Sequence, residues 1–297
     1  MKKIKEIIIN LINGFCMALA DSVPGVSGGT VAFILGFYDN FINSLDDIFR
    51  GNLEAKKKAF IYLIKIGLGW AIGFLLAASI LSGLFSTKIY EMSSLFLGFI
   101  IFAIPLVIRD EKESVKGKYK NIIFAILGIA FVIGITIIST NGGIDINLQS
   151  LNIGTIAYIF VVAMVAISAM ILPGISGSTI LLIFGIYIPI MNNIKAFLHL
   201  DFSVLPSLII FGLGMIFGVM VFARISRKCL EKYRSQTVYA ILGLMLGSMY
   251  SIIVGPSTVE ESYSIMNFSN FSVIFFILGG VIIAGLEILK RYLSKKN

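Results

Sequence analysis

Val23-Pro24-Gly25-Val26-Ser27-Gly28-Gly29-Thr30 returns in the second half of the chain as Leu172-Pro173-Gly174-Ile175-Ser176-Gly177-Ser178-Thr179. The match continues to Gly36 and Tyr38 against Gly185 and Tyr187. Further along, Gly67-Leu68-Gly69 with Gly73 pairs with Gly212-Leu213-Gly214 with Gly218. Leu97-Gly98 pairs with Leu242-Gly243, and Leu127-Gly128 with Gly134 pairs with Leu278-Gly279 with Gly285. The order is kept throughout, so the chain reads as a duplication.

Around these repeats the composition is that of a membrane protein. Of 297 residues, 58% are hydrophobic and 13% charged, about half the charged share of a soluble domain. This excludes a soluble enzyme, a disordered chain and a secreted disulfide scaffold. Cys16 and Cys229 set no disulfide framework. One histidine, His199, and no cysteine cluster leave nothing from which to build a structural zinc site. Apolar runs at 59–85, 91–108, 121–138, 204–223, 237–254 and 271–289 have the length of roughly 20 residues needed to span a bilayer. Two further stretches, 4–45 and 152–198, are interrupted by Pro and Gly. The basic start with Ala18-Leu19-Ala20 resembles a secretory signal, but Asn10, Asn13 and Gly14 break its apolar core.

The 24 Lys and Arg orient these segments. They cluster at Lys2–Lys5, Arg50–Lys58, Arg109–Lys120, Arg224–Arg234 and Lys290–Lys296, while 139–151 and 255–270 carry none. By the positive-inside rule the clusters are cytoplasmic, with both termini inside. The net charge of +8 therefore reports orientation and not nucleic-acid binding. The expected fold is an all-α polytopic membrane protein of two repeats, 1–150 and 151–297. Each is a hairpin followed by three spans. Three is odd, so the second repeat is upside-down relative to the first, an inverted-topology repeat of the kind found in secondary transporters. Charge placement does not distinguish re-entrant hairpins from pairs of full spans. The Gly-rich, uncharged joints favour re-entrant hairpins lining a protein-enclosed cavity.

Gly69, Gly73, Gly214 and Gly218 read as helix-packing positions. The joints read as functional. Pro24 and Pro173 end the incoming helices, and Ser27 is a good cap for the next. Gly28 and Gly29 are expected to leave backbone N–H groups uncovered at a helix start, where an anion binds. Ser22, Gly25, Ser27, Gly28, Gly29 and Thr30, with Gly174, Ser176, Gly177, Ser178 and Thr179, are thus expected to bind an oxyanion such as phosphate between two facing helix starts. Asp21 has no counterpart, since Met170 takes its place. A carboxylate at membrane depth is costly and marks function. It is counted with the substrate-binding residues and is the candidate carrier of a coupling proton, the alternative being a capping role. Lys65 and Arg224 are weaker candidates for guiding an anion inward.

Asp21-Ser22-Val23-Pro24-Gly25-Val26-Ser27-Gly28-Gly29-Thr30 with Gly36-Phe37-Tyr38, and its second copy, resemble the signatures of the bacterial polyprenyl-phosphate transporter family. The resemblance extends over essentially the whole chain. It implies a flippase of the bacterial cytoplasmic membrane that returns undecaprenyl phosphate from the outer to the inner leaflet, for reuse in peptidoglycan synthesis. No cofactor is implied, and association into a homodimer is left open. Two alternatives stand beside it. Undecaprenyl-pyrophosphate phosphatases also have inverted repeats and a PG-x-S-R-S motif, but here Gly28 and Gly177 stand in the Arg position and no intramembrane Glu-x-x-x-Glu pair occurs. Phosphoryl transfer needs such charge and proton-transfer groups. A small-anion channel or exchanger would use the same helix-end physics.

Overall fold

In the computed structural model, the described residues are 2–21, 27–140, 152–259 and 263–295, and they form helices and connections with no strand among them. The first series is α1 (Lys2–Asp21), α2 (Gly28–Ile34), α3 (Tyr38–Arg50), α4 (Leu53–Thr87), α5 (Ile89–Asp110), α6 (Lys112–Val115) and α7 (Ile122–Thr140). The second is α8 (Ile153–Ile171), α9 (Gly177–Ile183), α10 (Tyr187–Leu198), α11 (Leu205–Lys232), α12 (Arg234–Val254), α13 (Pro256–Val259) and α14 (Val273–Lys295). The two run in step: a long helix, a joint, a seven-residue helix, a shorter return helix, then three long helices. Gly36 and Gly185 end the seven-residue helices at φ +74° and +66°, a left-handed turn that glycine makes without a Cβ penalty. The sequence match Gly36/Gly185 thus has a backbone cause.

Among the described residues, six helices are long and apolar enough to cross a membrane: Leu53–Leu76, Ile89–Asp110, Tyr119–Ile138, Ile153–Ile171, Phe202–Lys232 and Arg234–Val254. The run 271–289 lies in α14, whose apolar part is the shorter Val273–Gly285. One difference from the sequence reading concerns 152–198. Its first arm, α8, is itself of spanning length, because the Pro173 break comes only after 19 helical residues.

Packing follows the glycines. Within each series α1 lies on α4, and α8 on α11. A Cβ on Gly69 or Gly73 would run into the backbone of Leu11 or Phe15, and one on Gly214 or Gly218 into that of Phe160 or Met164. These glycines let helix backbones touch, as their sequence pattern predicts. The last helices cross between series: α5 packs on α14 and α12 on α7. Gly98 and Gly279 face one another in the first pair, Gly243 and Gly128 in the second. Neither series is therefore complete without the other.

Ion pairs tie α3 and α5 to the later helices. Arg50 Nη1 lies 2.8 Å from Asp46, and Arg227 Nη1 lies 2.7 Å from Asp47. Arg234 bonds Asp39 at 2.7 Å and also pairs with Glu111, while Arg109 reaches Glu287 on α14 at 2.6 Å. These contacts join both ends of α3, the α5–α7 connection, the α11–α12 turn and α14.

Gly214→Ala should lower the thermal stability of the detergent-solubilised protein by about 1–3 kcal/mol through overpacking. Gly212→Ala, where an added Cβ meets nothing within 4 Å, should leave it unchanged or slightly raised. Equal unfolding temperatures for the two variants would contradict the packing assignment.

Candidate functional site

The two joints touch. Ser27 Oγ lies 2.9 Å from the carbonyl oxygen of Leu172 and 3.1 Å from that of Met170, so its proton is donated to the broken end of α8. In return, the Gly174 N–H donates to Thr30 Oγ1 at 2.7 Å. Breaking a helix frees carbonyls and N–H groups that a membrane interior cannot solvate. Here the Met170 and Leu172 carbonyls and the Gly174 N–H, on the two sides of the second break, are satisfied by Ser27 and Thr30 of the first joint. Ser27 and Thr30 are 1% and 2% exposed. Gly174 adopts φ +89°, and a Cβ there would strike Leu244. Glycine is therefore required at this turn, which the prediction from the motif alone did not distinguish from substrate binding.

The start of α2 is occupied. Ser27 caps it, its Oγ accepting from Gly29 N at 3.1 Å. Gly28 N donates to Asp21 Oδ1 at 2.7 Å, and Trp70 Nε1 donates to Asp21 Oδ2 at 2.9 Å. The expectation that Gly28 and Gly29 leave their N–H groups uncovered is corrected on this point. The physical reason is that the Asp21 carboxylate sits where an external anion would, against the positive end of a short helix. The glycines make room for their neighbours. A Cβ on Gly28 would lie 2.7 Å from Asp21 Oδ2, and one on Gly29 would strike the Ile171 carbonyl. In the second joint, Gly177 is packed against Ala166 and Met170, with Met170 Cβ 3.0 Å from where a Cβ would stand. Met170 thus takes the place in the structure that it takes in the sequence.

Ser176 is 8% exposed and Thr179 is half-buried. Ser22 and Gly25 lie outside the described residues, as does the side chain of Ser178. Of the weaker candidates, Lys65 is paired with Glu6 at 2.8 Å, and Arg224 and His199 are exposed. Trp70 was missed by the sequence reading. As the one tryptophan of the chain, three residues before Gly73, it was the signal available. Beside Asp21 and Trp70 lies a cavity of about 240 Å³, lined otherwise by apolar side chains that include Met17, Phe41, Ile167 and Met170.

The VCA0040-like family, described as undecaprenyl phosphate translocase-like, matches residues 17–270. The chain belongs to this family. It is 34% identical over 254 residues to the polyprenyl-phosphate transporter of Staphylococcus aureus (strain NCTC 8325 / PS 47), covering 84% of this chain and 87% of that protein. It is 33% identical over 251 residues to the polyprenyl-phosphate transporter of Vibrio cholerae serotype O1 (strain ATCC 39315 / El Tor Inaba N16961), covering 81% and 76%. No solved structure matches the chain.

Ser27→Ala removes both a helix cap and a cross-joint bond, and should cost about 1–3 kcal/mol in thermal unfolding. Ser27→Thr, which keeps the hydroxyl, should recover part of that loss. Equal stability of Ser27→Ala and the parent would show that the joints do not hold one another.

Proposed function

We propose that the protein is a non-enzymatic transporter of polyprenyl phosphate, with undecaprenyl phosphate as its substrate, in the bacterial cytoplasmic membrane. The observation that carries this reading is the pair of interlocked joints beside a carboxylate-bearing, otherwise apolar cavity, in a chain of this family. The substrate is an amphiphile with one phosphate on a long hydrocarbon tail. It needs hydrogen-bond donors at one point and apolar surface everywhere else.

In this account the phosphate is taken up at the start of α2 and by Ser176 and Thr179 of the second joint. Asp21 decides when. Two anions cannot share the Gly28 N–H, so substrate entry requires Asp21 to swing away or to take up a proton. Protonation removes the charge repulsion and weakens the bond to Gly28, which couples proton binding to phosphate binding. Trp70 holds the displaced or protonated carboxyl in place. The head group crosses as the pocket between the joints is exposed first to one side, then to the other, while the tail stays in lipid. Movement runs from the outer to the inner leaflet, returning the carrier for peptidoglycan assembly.

The same account gives the architecture: two inverted repeats, 1–150 and 151–297, with both termini cytoplasmic. The swapped packing of α5 on α14 and α12 on α7 supports it. The return helices α3 and α10 have 13 and 12 residues. At 1.5 Å per residue, about 18–20 Å, they are too short for a hydrocarbon core of roughly 30 Å. This favours re-entrant hairpins.

The test is transport in vesicles. Purified protein in liposomes should move labelled undecaprenyl phosphate between leaflets. Asp21→Asn should abolish the pH dependence of that movement, and the Ser27→Ala/Ser176→Ala double variant should slow it about tenfold or more. Parental behaviour in both would remove the joints from the mechanism. Phosphate release from undecaprenyl pyrophosphate, or anion flux without lipid carrier, would replace transport by one of the other two readings.

A further inference from the structure

We propose that an apolar groove between α3, α4 and α11 holds the isoprenoid tail of the substrate while its phosphate sits at the joints; this rests on the transport reading above. The groove has a volume of about 540 Å³, and its lining includes Phe49, Phe60, Ile64 and Leu68. It shares Leu45, Leu63, Gly67 and Val219 with the cavity that contains Asp21 and Trp70. The two spaces thus form one track. Its inner end carries a carboxylate and an indole N–H, and the remainder is hydrocarbon. Phe60, Ile64 and Leu68 are 57%, 43% and 56% exposed, so the outer end opens on the face that meets lipid.

This polarity is that of the ligand. A free phosphate ion gains nothing from the apolar part, and a glycerophospholipid brings two chains to one track. A single-chain lipid phosphate fits both ends at once. Burial of its first isoprene units would contribute affinity in proportion to the area removed from contact with other lipid and solvent, without fixing the rest of the tail.

Gly67 stands at the junction of the two spaces. Gly69 and Gly73, on the same helix, are glycine because α1 presses on them, but an added Cβ at Gly67 would meet nothing within 4 Å. Helix stability favours Ala at such a site. The open space, and not packing, is what the absent side chain provides. A larger side chain here would close the track without disturbing the fold.

Trp70, the single tryptophan, reports occupancy directly. Titration of the purified protein with undecaprenyl phosphate should change Trp70 emission. Gly67→Leu should weaken that apparent affinity by about tenfold or more and slow liposome transport in parallel. Its thermal unfolding should remain that of the parent. Gly285→Leu, at an exposed position where an added Cβ also meets nothing within 4 Å, should bind and transport normally. If Gly67→Leu proves poorly folded, Val219→Phe closes the same track from α11 and should give the same loss. Parental affinity in a folded variant that fills the track would overturn the groove while leaving transport intact. Equal competition by phosphatidylglycerol would assign the groove to ordinary lipid and overturn the proposal. A parent protein that neither binds nor moves undecaprenyl phosphate would overturn the transport reading and the groove with it.

Discussion

A helix that breaks inside an apolar molecule leaves backbone groups that need partners, and this chain has two such breaks, after Asp21 and after Ile171. The hydrogen bonds from Ser27 to the α8 end and from Gly174 N–H to Thr30 both satisfy backbone groups of the second break, with side chains of the first joint as the partners. That dependence of the second break on the first joint accounts for the hydroxyls of Ser27 and Thr30 standing next to glycines. The hydroxyls make these bonds, and the glycines let the backbones come close enough for them. The later helices also bind the two series together, through the Gly98–Gly279 and Gly243–Gly128 contacts.

Against this near-symmetry one difference carries chemical weight. The first joint holds Asp21 and Trp70, where the second has Met170 and, at the position matching Trp70, Met215. A carboxylate bound to the start of α2 mimics the anion that the site is proposed to receive. An internal mimic of this kind keeps the donors satisfied when no substrate is present, which lowers the cost of an empty anion pocket in a low-dielectric surrounding. Under the proposed function it also provides a two-state element: carboxylate in, or substrate in.

Much of this was legible in the sequence because repetition and glycine spacing are themselves geometric. The turn at Gly36 and Gly185, the close approaches at Gly69, Gly73, Gly214 and Gly218, and the helical class all follow from residue type and interval. What the sequence did not reveal were contacts between distant segments. Nothing local says that Trp70 points at Asp21, or that Ser27 serves α8 as well as its own helix. The prediction of bare N–H groups at Gly28 failed for the same reason. It considered the helix start alone, while Asp21, seven residues earlier, folds back onto it. The length of α8 was likewise hidden, because the sequence marks where a helix breaks more clearly than whether it has already crossed.

The most direct measurement is a cryo-EM map of the protein in lipid nanodiscs with undecaprenyl phosphate bound. The account predicts phosphate density within hydrogen-bonding distance of Gly28 N and Ser176, with the Asp21 carboxylate moved off Gly28. Phosphate density elsewhere, with the Asp21–Gly28 bond intact, would contradict it.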